Sequence, residues 1–230
     1  MLKNSMLNYN IAIDGPAGAG KSTVARIVAN KLNYLYIDSG AMYRALTWRL
    51  LKDSICFEDE AKLTSELENI NVEFRLDNAG ESRVFCNGED VTEEIRKPEV
   101  SRNVSEVAAK KPVRSRMVWL QREMAQRGRV VMDGRDIGTV VMPETSNKFY
   151  LTADVLERAR RRFLELRLKG HVTTLSEVQR EIELRDKIDS EREVGPLRKA
   201  ADAICIDTTG LCPEEVAEII IGYCGRRAPD

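Results

Sequence analysis

The sequence predicts an α/β fold built on a mostly parallel sheet, and three observations predict it. Short apolar runs alternate with helix-length amphipathic stretches along most of the 230 residues. The first apolar run, IAI, leads directly into the glycine-rich loop GPAGAGKS and then a helical pattern. One stretch, residues 71–91, breaks the alternation with β-rich runs and Gly-containing turns.

Five core strands are expected, at residues 10–13, 35–37, 130–132, 148–151 and 203–206; each is too short for a helix and ends near Asp, Gly or Thr. Helices are expected at residues 21–32, 41–52, 113–127, 155–169, 175–188 and 213–223. Pro213 suits a first helical turn, where its missing N–H would have no partner anyway. The stretch VEFRLDNAGESRVFCNGEDV is expected to form a small antiparallel meander turning at Asn78-Ala79-Gly80 and at Asn87-Gly88. It falls between the second and third core strands, so residues 69–97 are expected to be an insert in a core made of residues 1–68 and 98–230. Trp48 and Trp119 lie among Leu and Val on helix faces and are expected in the core.

Composition bounds the function. Lys and Arg total 36 against 37 Asp and Glu, a net charge of −1, which argues against coating nucleic acid and against a polybasic membrane anchor. No apolar run approaches the ~18–20 residues of a bilayer span. The opening MLKNSMLNYN has no apolar core of a secretory leader, so a cytoplasmic protein is expected. The five cysteines are scattered without a CxxC pair and are expected to be reduced thiols, mostly filling the core. His171 is the only histidine, which excludes a multi-histidine metal site. No extra apolar stripe is evident, so a monomer is expected.

Residues Gly15, Pro16, Ala17, Gly18, Ala19, Gly20, Lys21 and Ser22 match G-x-x-x-x-G-K-[ST] between a strand and a helix. Glycines let consecutive N–H groups turn inward toward phosphate oxygens, and the helix start adds its positive dipole end. Lys21 is placed to reach the β- and γ-phosphates and the Ser22 hydroxyl to ligate Mg²⁺. The loop implies a bound nucleoside triphosphate. A guanine-reading Asn-Lys-x-Asp is missing, since the only Asn-Lys is Asn147-Lys148-Phe149-Tyr150. The chain is too short for a two-domain motor, and its size suits a small-molecule phosphotransferase. A hydroxyl acceptor needs a base, for which Asp38 is the candidate. A phosphate acceptor has its second pKa near ~6 and needs converging cations instead. A nucleotide-binding regulator without transferase activity is the alternative from another class.

Four segments, IAIDGPAGAGKST, YIDSGAMYRAL, VVMDGRDIGTVVMP and ELRDKIDSEREVGPL, resemble the bacterial cytidylate kinases in order and spacing, over about residues 9–223. The resemblance implies a P-loop, five-stranded parallel core, a nucleotide-monophosphate-binding insert and a mobile lid at about residues 155–192. It implies ATP-dependent phosphorylation of CMP and dCMP with Mg²⁺.

The residues carry specific expectations beside it. Ser39 is placed to cap the helix it opens, with Arg44 in the second turn. By resemblance Ser39, Tyr43 and Arg44 meet the acceptor nucleotide. Asp133, Gly134, Arg135 and Asp136 follow a strand at the sheet edge where α/β ligands bind. Arg135 suits a bidentate phosphate clamp, and Asp133 could hold a water of the Mg²⁺ shell. A carboxylate at Asp136 would favour the N4 amino group of cytosine over the O4 of uracil, and by resemblance Ser105 and Arg114 join it. Arg158, Arg160, Arg161 and Arg162 crowd one helix, and Arg158 and Arg162, along with the loop through Thr23, are expected at ATP. Arg185, Asp189 and Arg192 recur on one helical stripe. By resemblance the two arginines clamp phosphates near the transferring group and Asp189 takes the acceptor ribose. His171 is expected to be a solvated loop residue at the lid tip.

Overall fold

A computed structural model describes residues 9–77 and 82–225. Strand β1 (Ile11–Asp14) is buried along its whole length, as a central strand covered on both faces must be. It runs parallel to β6 (Val130–Gly134) and to β7 (Asn147–Thr152), with Ile13 opposite Asp133 and Phe149. Adding β2 (Leu35–Asp38) and β8 (Ile204–Asp207) gives five strands in the order β2-β6-β1-β7-β8. Each expected core strand is present, shifted by a residue or two at its ends.

The described chain divides into two compact units, one from Met1–Tyr36 and Ala125–Asp230, the other Ile37–Met124. In the first, helix α1 (Lys21–Leu32) covers the sheet with Val24, Ala25, Val28 and Ala29. Helix α8 (Pro213–Gly225) adds Val216, Ala217 and Ile220 to the same core as Val131, Phe149 and Leu151. Burying such side chains contributes on the order of 1.5–3 kcal/mol each for the larger ones. Helices α6 (Val155–Leu168) and α7 (Leu175–Glu191) form a hairpin with its own small core of Ala159, Val178 and Ile182. Its starts are fixed locally. Asp154 accepts from Leu156 N at 2.9 Å, and Thr174 with Glu177 closes a reciprocal capping box. His171, in the connection, is exposed.

The second unit holds α2 (Ser39–Lys52), α3 (Glu60–Asn69), α4 (Pro98–Ala109) and α5 (Lys111–Ala125), whose last residue falls outside the unit. It also holds the antiparallel sheet of β3 (Val72–Leu76), β4 (Ser82–Cys86) and β5 (Glu89–Asp90). Asn87 and Gly88 make the β4–β5 turn with φ of 49° and 83°, the paired positive values of a tight hairpin. The turn expected at Asn78-Ala79-Gly80 lies outside the described residues. This unit is wider than the 69–97 insert, because α2 packs against β3, β4 and α4.

Several local expectations need correction. The cap of α2 is Asp38, whose Oδ1 accepts from Ala41 N at 2.8 Å; Ser39 is already the first helical residue. Serine and aspartate are both good caps, so adjacent Asp38 and Ser39 compete for the role and the longer carboxylate reaches the Ala41 N–H. Trp119 is 51% exposed, with the Arg116 guanidinium 4.7 Å from its ring centre, so it is not core; Trp48 is buried. Only Cys86 of the five cysteines is buried, while Cys56, Cys205 and Cys212 are exposed. Two helices, α3 and α4, were not expected at all. No helix among the described residues is long and apolar enough to cross a membrane.

Candidate active site

The glycine loop bridges β1 and α1. Gly15 takes φ of 148°, and a Cβ there would lie 2.0 Å from the Leu151 carbonyl oxygen, so no side chain fits. Gly18 is left-handed, and its Cβ would press within 3.0 Å of Arg158 Cβ. Lys21 is buried beneath the loop, and its Nζ donates to the Pro16 carbonyl at 2.6 Å. Burial, helped by the charges of Arg135 and Arg185, pushes its amine down to about 7, against the pull of Asp133 and Asp14. Polyphosphate oxygens would restore the full charge.

Ser22 Oγ donates to Asp133 Oδ2 at 2.9 Å, and the Tyr36 hydroxyl donates to Asp133 Oδ1 at the same distance. A hydroxyl and a carboxylate side by side are hard oxygen donors that suit Mg²⁺, which keeps several waters and takes its remaining ligands from phosphate. Among the described residues no three His, Cys, Asp or Glu gather into a complete protein cage.

Arginines and carboxylates interlace beyond β6. Arg135 Nε donates to Asp189 Oδ2 at 2.7 Å, Arg192 lies 3.6 Å from Asp189 Oδ1, and Arg192 lies 3.5 Å from Asp136 Oδ1. Burial pushes the Asp189 carboxyl up, but Arg135, Arg185 and Arg192 outweigh it and hold the group below its ordinary range. Arg192 stands just past the end of α7, and its Nε donates to the Gly195 carbonyl at 2.6 Å. Asp136 is buried. Arg135, Asp136, Arg185, Asp189 and Arg192 are thus brought together, with Lys21 within reach of the charges of Arg135 and Arg185.

The helical hairpin meets the loop through one of its two expected arginines. Arg158 is buried; its Nη1 donates to Ala17 O at 2.8 Å and to Asp186 Oδ2 at 2.5 Å. Asp186 Oδ1 accepts from Ala17 N at 3.0 Å, so both backbone polar groups of Ala17 are held. Arg162 instead pairs with Glu165 at 2.7 Å on an exposed face and is not brought to the loop. Arg162 follows Arg161 by one residue, about 100° round the helix, which turns it away from the side that Arg158 and Arg161 share. Arg161 takes the place: it donates to Thr208 O at 2.6 Å and Thr208 Oγ1 at 3.0 Å, and Thr208 in turn reaches Ala19 O at 3.3 Å. Asp14, Asp186 and Thr208 carry no role in the sequence expectations, and Arg161 appears there only as a member of the arginine cluster. Asp186 lies beside Arg185, Asp14 directly precedes the glycine loop and Arg161 lies in the arginine cluster, whereas Thr208 carries no signal outside the fold.

In the second unit, Asp38 Oδ2 pairs with Arg44 at 3.1 Å, and both crowd Gly40, where a Cβ would meet each at 3.1 Å. Ser39 and Tyr43 are buried, Arg114 is buried at 1% with its guanidinium 5.5 Å from the Tyr43 ring centre, and Ser105 is half-buried on α4.

What the first unit gathers at the glycine loop is positive charge held in place by buried carboxylates, which is the equipment for moving a phosphoryl group between anions. Fold and site together define a P-loop phosphotransferase. Residues 11–226 match the family model described as cytidylate kinase, and the chain belongs to that family. It is 51% identical over 214 residues to a cytidylate kinase of Desulfitobacterium hafniense (strain Y51), covering 93% of this chain and 91% of that one. It is 52% identical over 215 residues to a cytidylate kinase of Bacillus thuringiensis (strain Al Hakam), covering 93% and 94%. An uncharacterized protein from Eubacterium ventriosum ATCC 27560 shares the fold, with TM-score 0.53 at 15% identity over 96% of this chain and 99% of that one.

Proposed function

We propose that the chain transfers the γ-phosphoryl group of ATP to the phosphate of CMP or dCMP, giving ADP and CDP or dCDP. The observation that carries this reading, beside family membership, is the buried Arg135–Asp189–Arg192–Asp136 network at the end of β6. An acceptor phosphate is already anionic at neutral pH, so it needs fixed cations and no base. Asp38, the base that a hydroxyl acceptor would require, is taken up by the cap of α2 and by Arg44.

The loop N–H groups and Lys21 hold the donor phosphates, with Ser22 and Thr23 opening α1 beneath them and Arg158 and Arg161 completing the loop. Arg135, Arg185 and Arg192 neutralise charge as an acceptor oxygen attacks the γ-phosphorus in line and ADP departs. Asp136 accepts from the cytosine amino group and Asp189 takes the ribose; Ser39, Tyr43, Arg44, Ser105 and Arg114 are the further acceptor contacts that the family resemblance implies. Ser22 and Asp133 would hold Mg²⁺, which supplies charge neutralisation at the phosphates when bound. Residues 155–192 serve as the lid, excluding water and so limiting ATP hydrolysis.

An ADP-release assay with CMP, dCMP, UMP and small polyols tests the proposal. CMP and dCMP should each stimulate release strongly. Release driven by a polyol, or none with CMP, would overturn it. Light scattering of the purified chain should read a monomer.

A further inference from the structure

The turn that follows Arg135 and Asp136 takes the cap for its first N–H groups from a distant part of the chain. Strand β6 ends at Gly134, opposite Asp14 of β1. The chain then passes through Asp136, at φ −145° and ψ 24°, into a π-helical turn over Ile137–Val141 whose N-terminal residue supplies no side-chain cap. The first two N–H groups of that turn point into the protein interior, where a missing acceptor would cost about 1–3 kcal/mol each. Both are met by one carboxylate 123 and 124 residues earlier: Ile137 N donates to Asp14 Oδ1 at 2.8 Å and Gly138 N to Asp14 Oδ2 at 2.7 Å.

The fit is tight. A Cβ on Gly138 would come within 3.3 Å of Asp14 Oδ2 and within 3.3 Å of the Lys148 stem, so a larger residue there presses on the carboxylate by a few tenths of an ångström. Asparagine at position 14 would offer one acceptor and set an N–H₂ against the other N–H. Asp14 also sits immediately before Gly15, and the phosphoryl transfer proposed above gives it no chemical role.

We infer that Asp14 is a positioning residue for nucleotide specificity: by accepting the Ile137 and Gly138 N–H groups it fixes the Arg135–Asp136 turn against the acceptor base. The inference rests on the base-reading role proposed for Asp136. A shift of about 1 Å in a reacting or reading group is enough to lose up to ~10²-fold. Removing one of two anchors is expected to lower the ratio of kcat/KM for CMP over UMP by about tenfold in Asp14→Asn, with the KM for ATP within about twofold.

The test is a cycle of Asp14→Asn, Asp136→Ala and the double variant, with steady-state kinetics on CMP and UMP. If Asp14 acts through Asp136, the double variant discriminates no worse than Asp136→Ala alone. Equal loss on CMP and UMP in Asp14→Asn, or losses of discrimination that multiply in the double variant, overturns the inference. An unchanged ratio in Asp136→Ala sinks the base-reading role and this inference with it; an eroded ratio there beside an unchanged one in Asp14→Asn sinks this inference alone. Should Asp14→Asn not fold, Gly138→Ala decides, because its Cβ crowds the same oxygen. Eroded discrimination is then expected, and an intact ratio overturns the inference.

Discussion

Replacing Asp189 with alanine removes the carboxylate that Arg135 and Arg192 share. The three side chains are 8%, 16% and 8% exposed in that order, so solvent screens them little. Truncating one partner of a buried ion pair costs about 3–5 kcal/mol, because the remaining charge stays desolvated. Arg192 keeps Asp136 at 3.5 Å and the Gly195 carbonyl at 2.6 Å, which favours the lower end, about 3 kcal/mol. With a urea m-value near ~3 kcal/mol/M for a chain of this size, the unfolding midpoint should fall by about 1 M. Inorganic phosphate should then substitute for the lost anion. At ten times its dissociation constant it restores about 1.4 kcal/mol, more than it gives the unaltered protein, whose arginines are already compensated. The assay is urea denaturation with and without phosphate at constant ionic strength. A loss below about 1 kcal/mol, with the same phosphate response in both proteins, would refute the claim that buried charge compensation holds this network together.

Lys21→Ala should abolish turnover while circular dichroism stays native, and retained activity would contradict its place under the donor phosphates. Arg158→Ala should raise the KM for ATP by roughly 10–100-fold, as the loss of a charge-assisted contact implies, whereas Arg162→Ala should change it less than about threefold; steady-state titration of ATP separates them, and equal effects would refute the placement. The pH dependence of stability has a worked sign. Burial pushes the Asp14 carboxyl up to about 7 from 3.8, against the opposing Ile137 and Gly138 hydrogen bonds, so its contribution is full below 3.8 and is lost as pH rises through about 7. The Lys21 amine, pushed down to about 7 from 10.5, contributes fully above 10.5, and that stability is lost as pH falls toward about 7. Between pH 6 and 8 the two contributions change in opposite senses. Asp14→Asn should remove the contribution that falls with pH, so its stability should rise with pH relative to the unaltered protein across that range. Urea midpoints at pH 6, 7 and 8 measure it, and parallel profiles would show that the two groups do not titrate as described.

Much of the fold was legible. The β1 run, the glycine loop and α1 are dictated by contiguous residues, and α1 has the expected bounds, Lys21–Leu32. Helices α3 and α4 were missed although both carried signals. Asp59 caps α3 by accepting from Lys62 N, and α4 opens with Pro98 and buries Val100, Val104 and Val107 at helical spacing. Only Leu63 and Leu67 of α3 are buried, so its amphipathic stripe is too thin to stand out from a polar loop.

The sequence by itself determined which residue types would do the chemistry: a phosphate loop, a lysine beneath it, and arginines in three separated stretches. Those are properties of local spacing, and spacing survives in one dimension. Only the tertiary structure decided which arginine meets the loop, Arg158 with Arg161 and not Arg162, since helix rotation against the sheet sets that choice. Only it decided that Asp14 holds a turn 123 residues away and that Asp186 grips Ala17 from 169 residues away. A buried carboxylate finds its hydrogen-bond donors wherever the fold leaves backbone N–H groups unmet, and no pattern along the chain records where that will be.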